Sequence, residues 1–307
     1  MSSTPSEPFE SALPIELEQR IFELAAYTDP LLVPTLMVVA WRVKQWVEPL
    51  RYRIVIYVWP DLAATGLNGH RSYPLLKDLR PNHLQGRVNR ILSTHPTILK
   101  NSTRHLCLNQ TPHRDLLHAA SSVEDLWLVP DSFHSSLPEL LGALTLKRLH
   151  CTPATLFSDQ WQNASRNHFT HSLFSNVTHL QILLIRSIDA AVETRIGLAS
   201  LPNLTHFAFT DDIFLPEGTT VLGTCQGLRV LVFKLTFTRF PPLPTELGVD
   251  SRFVQMVCAK GIKDWHMGAL TGMDFWVRAE EFIAKRRSGE VDCLEYVIPG
   301  DESENLP

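Results

Sequence analysis

Four histidines of this chain lie next to the central apolar residue of short strand-like segments. The segments TRHLCLN, LKRLHCT, VTHLQIL and LTHFAFT contain His105, His150, His179 and His206 among apolar residues that alternate with variable ones. This alternation predicts strands, in which the residues beside the core position point to the opposite face. Because neighbouring strands lie about 4.8 Å apart, such histidines have the spacing to bind a metal ion. No carboxylate or cysteine cluster completes a site, so we predict neither a metal nor a catalytic centre.

The strand-like segments recur along the chain and predict a repeat architecture. Their central apolar residues are separated by 20, 23, 31, 27 and 24 residues, and are Leu106, Leu126, Leu149, Leu180, Phe207 and Leu231. Helix-compatible stretches such as DLLHAASS and LPELLGAL precede most of them. One strand and one short helix in roughly 20–30 residues is typical of a leucine-rich-repeat-like α/β solenoid. The asparagine ladder of regular repeats is mostly missing, which indicates an irregular array.

The residues flanking each core position predict one exposed, concave strand face. We interpret this face as a target-binding surface with Trp127 as an aromatic anchor. The predicted set is His105, Trp127, Arg148, His150, His179, Gln181 and His206. Because imidazoles become charged near pH 6, a partner on this face would be held more weakly in acid. A histidine-lined metal or enzyme site remains an alternative interpretation.

Several segments also share an Asn-x-Ser/Thr pattern, which occurs at Asn101, Asn109, Asn163, Asn176 and Asn203. In three of them the Asn falls between the preceding helix and a strand, and the Thr opens the strand. Asn tolerates the left-handed conformation that ends helices, and Thr suits a strand. We therefore interpret the pattern as a structural feature of the boundary between helix and strand in each repeat, rather than as a set of glycosylation acceptors.

Composition restricts the remaining classes of function. The 307 residues have a formal net charge of −4, which gives no reason to expect a nucleic-acid partner. The amino terminus resembles no signal peptide, and the apolar run 31–40 is too short to span a membrane. Five scattered cysteines without a C-x-x-C pair indicate buried thiols in a reducing compartment, the cytoplasm or the nucleus. The chain has none of the common catalytic or nucleotide-binding motifs, so we expect no enzymatic activity and no cofactor.

Upstream of the repeats, the segment LPIELEQRIFEL predicts an amphipathic helix. Pro14 suits a first helical turn, where Glu16 also favours the positive end of the helix dipole. Leu17, Ile21 and Leu24 follow at helical spacing. Asp29-Pro30 ends the helix, and a second apolar segment leads into WRVKQWVEP and a predicted strand at 53–58.

This block resembles an F-box, whose pattern runs from LP-x-E-aliphatic through I-F and an Asp-led loop to V-x-x-x-W. The matching residues are Leu13, Pro14, Glu16, Leu17, Ile21, Phe22, Asp29, Leu31, Leu32, Val39 and Trp46. The loop is longer than usual, and VVAWRVKQW replaces the usual V-C-K-R-W. The resemblance implies helices that bind a Skp-type adaptor and, through it, a cullin–RING ubiquitin ligase. The residues expected to contact the adaptor are Leu13, Pro14, Leu17, Ile21, Leu31, Leu32 and Trp46.

The end of the chain fits the same family. Many fungal F-box proteins end in a segment like DFWVRAEEFIAKRRSGE, and the residues themselves predict a helix with Asp274 as its cap and Gly289 just past its end. We therefore predict a disordered tail at 1–10, a helical module at 11–52, a solenoid at 53–273, a closing helix at 274–289 and a tail at 290–307. The implied function is to select a target protein for ubiquitination. In the alternative, the amino-terminal helices only cap the solenoid and bind no adaptor.

Overall fold

The structure is a computed structural model that describes residues 13–29, 32–57, 85–108, 114–128, 137–153, 156, 168–185, 187–235, 242–257 and 261–298. The predicted tail at 1–10, as well as Leu31, Asn109 and Asn163, lies outside these ranges. The chain divides into two compact units, Met1–Arg53 and Ile54–Pro307. Of the helices in the described ranges, none has both the length and the apolar character needed to cross a membrane.

The amino-terminal unit consists of short helices. Helix α1 begins directly after Pro14, with Glu16 and Glu18 in its first turn, where they stabilise the positive end of the helix. The elements are α1 (Ile15–Thr28), α2 (Val33–Leu36), α3 (Trp41–Val47) and a 3-10 helix (Glu48–Tyr52).

The second unit is mixed α/β, and its described residues form a nine-stranded parallel sheet. The strands are in sequential order, so each pairs with the next strand along the chain. They are β1 (Ile54–Tyr57), β2 (His105–Leu108), β3 (Asp125–Leu128), β4 (Arg148–Cys151), β5 (His179–Ile182), β6 (His206–Phe209), β7 (Val230–Leu235), β8 (Phe253–Val257) and β9 (Val297–Ile298).

Helices connect these strands. The α-helices are α4 (Gln85–Thr94), α5 (Pro96–Ser102), α6 (Arg114–Ala119), α7 (Leu137–Leu141), α8 (Ile188–Leu198), α9 (Leu215–Thr224), α10 (Thr245–Val249), α11 (Gly261–Thr271) and α12 (Phe275–Ser288). Short 3-10 turns lie at His168–Thr170, Ser172–Phe174 and Asp212–Phe214.

The six predicted core residues occupy one row across the sheet. The row is Leu106, Leu126, Leu149, Leu180, Phe207 and Leu231, in register from strand to strand and fully buried. The connecting segments pack on this side, where the ring centroid of Phe214 lies 5.4 Å from that of Phe207. Burying one leucine-sized side chain per strand contributes about 2 kcal/mol each, which explains why the pattern specifies the sheet.

The threonines of the Asn-x-Thr pattern join successive strands. Thr178 Oγ1 donates to the carbonyl of Lys147 at 3.1 Å, and Thr205 Oγ1 donates to the carbonyl of Thr178 at 3.2 Å. Asn203 follows α8 and donates to the carbonyl of Ser175 at 2.7 Å. Asn101 differs from the expectation, because it lies inside α5 rather than after it.

The helix predicted at 274–289 is α12, but it does not close the end of the sheet. The side chain of Asp274 accepts from the backbone amide of Val277 at 3.0 Å, and Gly289 ends the helix. The helix lies across the sheet face opposite the leucine row, and α11 lies on the same face. Both helices belong to the connection between β8 and β9. This connection therefore covers the sheet face opposite the leucine row. We refer to α11 and α12 together as the helix pair.

Gly289 is required at the end of α12 because its backbone is left-handed, with φ of 81°. We expect Gly289→Ala to lower the free energy of unfolding by about 1 kcal/mol, since a Cβ disfavours this conformation. Gly223→Ala is the matched control, because a Cβ there meets no atom within 4 Å inside α9. Guanidinium unfolding should show the control unchanged or slightly stabilised. Equal stability of both variants would contradict this role of Gly289.

Candidate partner-binding surface

The amino-terminal unit has a small core of its own. Its fully buried residues are Ala26, Val33, Val43 and Val47. Phe22 and Trp46 pack against them with ring centroids 6.4 Å apart. Trp46 was predicted to contact an adaptor, whereas the structure places it half-buried in this core. Its position follows from helical spacing, because Trp46 shares one face of α3 with Val43 and Val47.

The other face of α1 presents large apolar side chains to solvent. Leu17, Ile21 and Leu24 follow one another at four- and three-residue spacing, and each is more than half exposed, at 53%, 53% and 57%. They lie on the side of the helix away from Phe22 and Ala26, which face the core of the unit. Among the described residues of this unit, the exposed large apolar side chains are Leu13, Ile15, Leu17, Ile21, Leu24, Leu32, Val38, Val39 and Trp41, which we call the exposed apolar set.

Most of the residues predicted to bind an adaptor belong to this exposed surface. Leu13, Leu17, Ile21 and Leu32 are members of the set, and Pro14 is also exposed. Leu31 lies outside the described residues. The set also contains Ile15, Leu24, Val38, Val39 and Trp41, which were not among the residues predicted to contact the adaptor. For Leu24 the signal was present, since it continues the helical spacing of Leu17 and Ile21.

Charged groups flank the apolar stripe of α1. Arg42 on α3 donates to Glu18 on α1 at 2.8 Å, which joins the two helices. Lys44 lies above the ring of Trp41, with its ammonium nitrogen 5.1 Å from the ring centroid. Such exposed pairs add about 0–1 kcal/mol to stability. An apolar centre with charged neighbours is the composition expected of a protein-binding surface.

The strand face predicted to bind a target is covered by the helix pair. Trp127, His150, Gln181 and His206 are buried, and His105, Arg148 and His179 are half-buried. At one end, Ile54, Ile56, Cys107 and Trp127 pack with Ile262, Trp265 and Ala269 of α11. At the other end, Ala208, Val230, Val232, Val254 and Met256 pack with Phe275, Trp276, Ala279 and Ile283 of α12.

Our expectation that this face is exposed is therefore wrong. The seven predicted residues, His105, Trp127, Arg148, His150, His179, Gln181 and His206, lie in a layer between sheet and helix pair. Binding of a target to them would require the helix pair to leave the sheet. The sequence of β7 does indicate that something covers this face, because Val230–Phe233 is apolar at every position. A continuous apolar run is typical of a parallel strand that is buried on both faces.

Asp125 is the centre of a polar network within the covered layer. Its carboxylate lies 3.0 Å from His105 Nδ1 and 3.4 Å from His150 Nε2, and it accepts from the indole N–H of Trp265 at 3.0 Å. Burial opposes the charged form, but these hydrogen bonds and the two imidazoles hold the pKa of Asp125 below its usual range. The Asp125 carboxylate is thus ionised, and the hydrogen bond that it accepts from Trp265 holds α11 on β3.

A second network holds α12 on the sheet. His179 and His206 stack with centroids 3.9 Å apart and planes inclined by 6°, and both rings contact Trp276 edge-on. His206 Nε2 lies 2.9 Å from a carboxylate oxygen of Glu280. Burial is the main cause that lowers the pKa of His179 to about 2, and the nearby charges of His206 and Arg148 act in the same direction. Burial also lowers the pKa of His206, against the opposing effect of Glu280.

Ion pairs hold the start of α12 in place. Arg148 on β4 donates to Asp274 at 2.6 Å, and Arg278 pairs with Asp264 of α11. Lys234 on β7 is buried, with its ammonium nitrogen 3.5 Å from the ring centroid of Phe275. Aromatic and charged side chains thus anchor α12 on the sheet, as they do where one protein binds another.

The covered layer lacks the features of a metal or nucleophilic site. Within the described ranges, His, Cys, Asp and Glu form no group of three that could hold a metal ion. Burial raises the pKa of the Cys107 thiol in this layer and of the Cys151 thiol on the leucine-row side of the sheet, so both stay protonated and unreactive at neutral pH. The buried Asp–His contacts therefore have a structural explanation. Comparison of the chain with protein-family models and with curated proteins gives no match.

Proposed function

We propose that this chain is a substrate-recognition subunit of a cullin–RING ubiquitin ligase of the SCF type. The exposed apolar set of the amino-terminal unit carries the proposal. A few large apolar side chains can dominate a protein interface, and contiguous exposed apolar surface marks interaction sites. Leu17, Ile21 and Leu24 share one exposed face of α1, and the resemblance to an F-box expects the Skp-type adaptor to contact Leu17 and Ile21.

The alternative is that the amino-terminal helices act only as a cap. Leu17 and Ile21 lie outside the core of their own unit, which leaves both side chains available to a partner. The binding experiment described below separates adaptor binding from the cap. With an adaptor bound, the chain would act in the cytoplasm or nucleus and contribute binding rather than chemistry.

The second unit would hold the target protein. Its sequential parallel sheet, in which strands β2 to β7 follow one another at intervals of 20 to 31 residues, supports a leucine-rich-repeat-like solenoid. Since the helix pair covers the predicted strand face, the target would bind another surface of this unit or replace the helix pair.

Co-expression with a Skp-type adaptor and a cullin tests the proposal. We expect the full chain to retain the cullin on an affinity column only when the adaptor is present. Thermal unfolding of the purified chain serves as the control for folding. A well-folded chain that retains neither protein would overturn the proposal and favour the cap.

A further inference from the structure

Five of the thirteen histidines of this protein lie on the strands and the helix that form the covered layer. His105, His150, His179 and His206 come from four strands, and His266 lies on α11, where it interacts electrostatically with His105. Protonation in mild acid therefore places positive charge in this layer. The leucine row on the other face consists of side chains that do not titrate.

The stacked pair His179–His206 is the point where added charge is least tolerated. With ring centroids 3.9 Å apart, two imidazolium ions would repel each other under the indole of Trp276. The charged and titratable groups acting on the pair are Arg148, His150 and Asp125 from neighbouring strands, Arg229 before β7, and Glu280 from α12. Asp125 and Glu280 favour protonation, but Asp125 is occupied by His105 and His150, and Glu280 is half exposed to water.

We propose that the helix pair is an acid-sensitive strap, which leaves the sheet when the histidines beneath it become protonated. Opening would expose the polar row of strands β2 to β6, including Arg148 and the stacked histidines. The leucine row and its connecting helices would stay folded. This inference does not depend on adaptor binding, because the contacts that carry it lie within the second unit.

The sign of the effect follows from proton linkage. Burial lowers the pKa of His179, His206 and His266 in the closed form, so the open form binds more protons as the pH falls below about 6.5. Closure is thus favoured above pH 6.5 and is progressively lost below it. For a histidine that stays neutral when closed, the opening equilibrium rises about tenfold between pH 7.5 and 5.5. Further histidines with lowered pKa add to this factor.

Hydrogen exchange of the full chain tests the strap. Protection factors, which divide out the intrinsic pH dependence of exchange, should fall at least about tenfold in α11 and α12 between pH 7.5 and 5.5. Those of β4 to β7 should fall much less. A uniform fall in helices and strands would overturn the proposal, since it would indicate global unfolding, and so would no fall in the helix pair.

A double variant isolates the stacked pair. His179→Phe/His206→Phe keeps two stacked rings, and Thr178 and Thr205 retain their bonds to backbone carbonyls. We expect it to lose most of the acid response, while His118→Gln, at an exposed histidine on α6, keeps it. A full response in the double variant would contradict the assignment to this pair.

Glu280→Gln provides an independent test that leaves the buried rings intact. Removing this carboxylate takes away the group that favours protonation of His206 in the closed form. We expect the helix pair to open at a higher pH than in the wild type. A midpoint that is unchanged or lower would overturn the proposal.

Discussion

Arg286→Met is expected to lower the free energy of unfolding by about 3–4 kcal/mol. Arg286 is buried near the end of α12, and its guanidinium donates to four backbone carbonyls, those of Gly248, Asp250, Phe253 and Cys293. Each buried carbonyl left without a donor costs about 1–3 kcal/mol, and partial access of water reduces the sum. Methionine keeps the apolar length of the side chain, so the loss reports mainly on these hydrogen bonds.

Arg287 provides the control for Arg286, because it is the next residue of the same helix and is exposed. Arg287→Met should change the stability by about 0.5 kcal/mol or less in guanidinium unfolding. The basic triplet 285–287 is compatible with a nuclear signal in the sequence alone, but the burial of Arg286 gives this residue a structural role. Equal stability of the two variants would contradict that role.

Asp125→Ala is expected to lower the free energy of unfolding by about 3–5 kcal/mol, as is typical when one partner of a buried charged network is removed. The substitution leaves the indole N–H of Trp265 without its acceptor and takes the carboxylate away from His105 and His150. Because Trp265 belongs to α11, tryptophan fluorescence should also show looser packing of the helix pair on the sheet.

The adjacent carboxylate serves as the comparison for Asp125. Glu124 forms an exposed ion pair with Lys147 at 2.7 Å, and Glu124→Ala should cost at most about 1 kcal/mol. Urea unfolding of both variants at pH 7 gives the comparison. If Asp125→Ala were as mild as Glu124→Ala, the buried network would not be what holds α11 on the sheet.

The sequence predicted strands β1 to β7 because each has apolar residues at regular positions, whereas β8 was not predicted and β9 lies in the segment 290–307 that was expected to be a tail. Leu106 through Leu231 form the buried row, and Asp274 caps the last long helix as expected. These features are local, since alternation and capping are decided within a few residues. The same locality explains why Leu17 and Ile21 were correctly placed on one face of α1.

The covering of the strand face was missed because it depends on contacts between distant residues. Trp265 bonds to Asp125 across 140 positions of the chain, and Arg148 bonds to Asp274 across 126. A row of histidines looks the same in sequence whether solvent or a helix lies above it. Trp46 shows a related ambiguity, since an aromatic residue that matches a binding motif also suits a small core.

The affinity of the full chain for a Skp-type adaptor is the most direct test of the proposed function. It should be measured by calorimetry for the wild type and for Leu17→Asp/Ile21→Asp, together with thermal unfolding of both. Since both side chains are more than half exposed, we expect the double variant to fold normally and to bind at least about a hundredfold more weakly. Arg287→Asp, a charge change at an exposed residue of α12 in the second unit, should alter binding far less. A folded double variant that binds as tightly as the wild type, or a folded wild type that does not bind, would contradict adaptor recognition by this face.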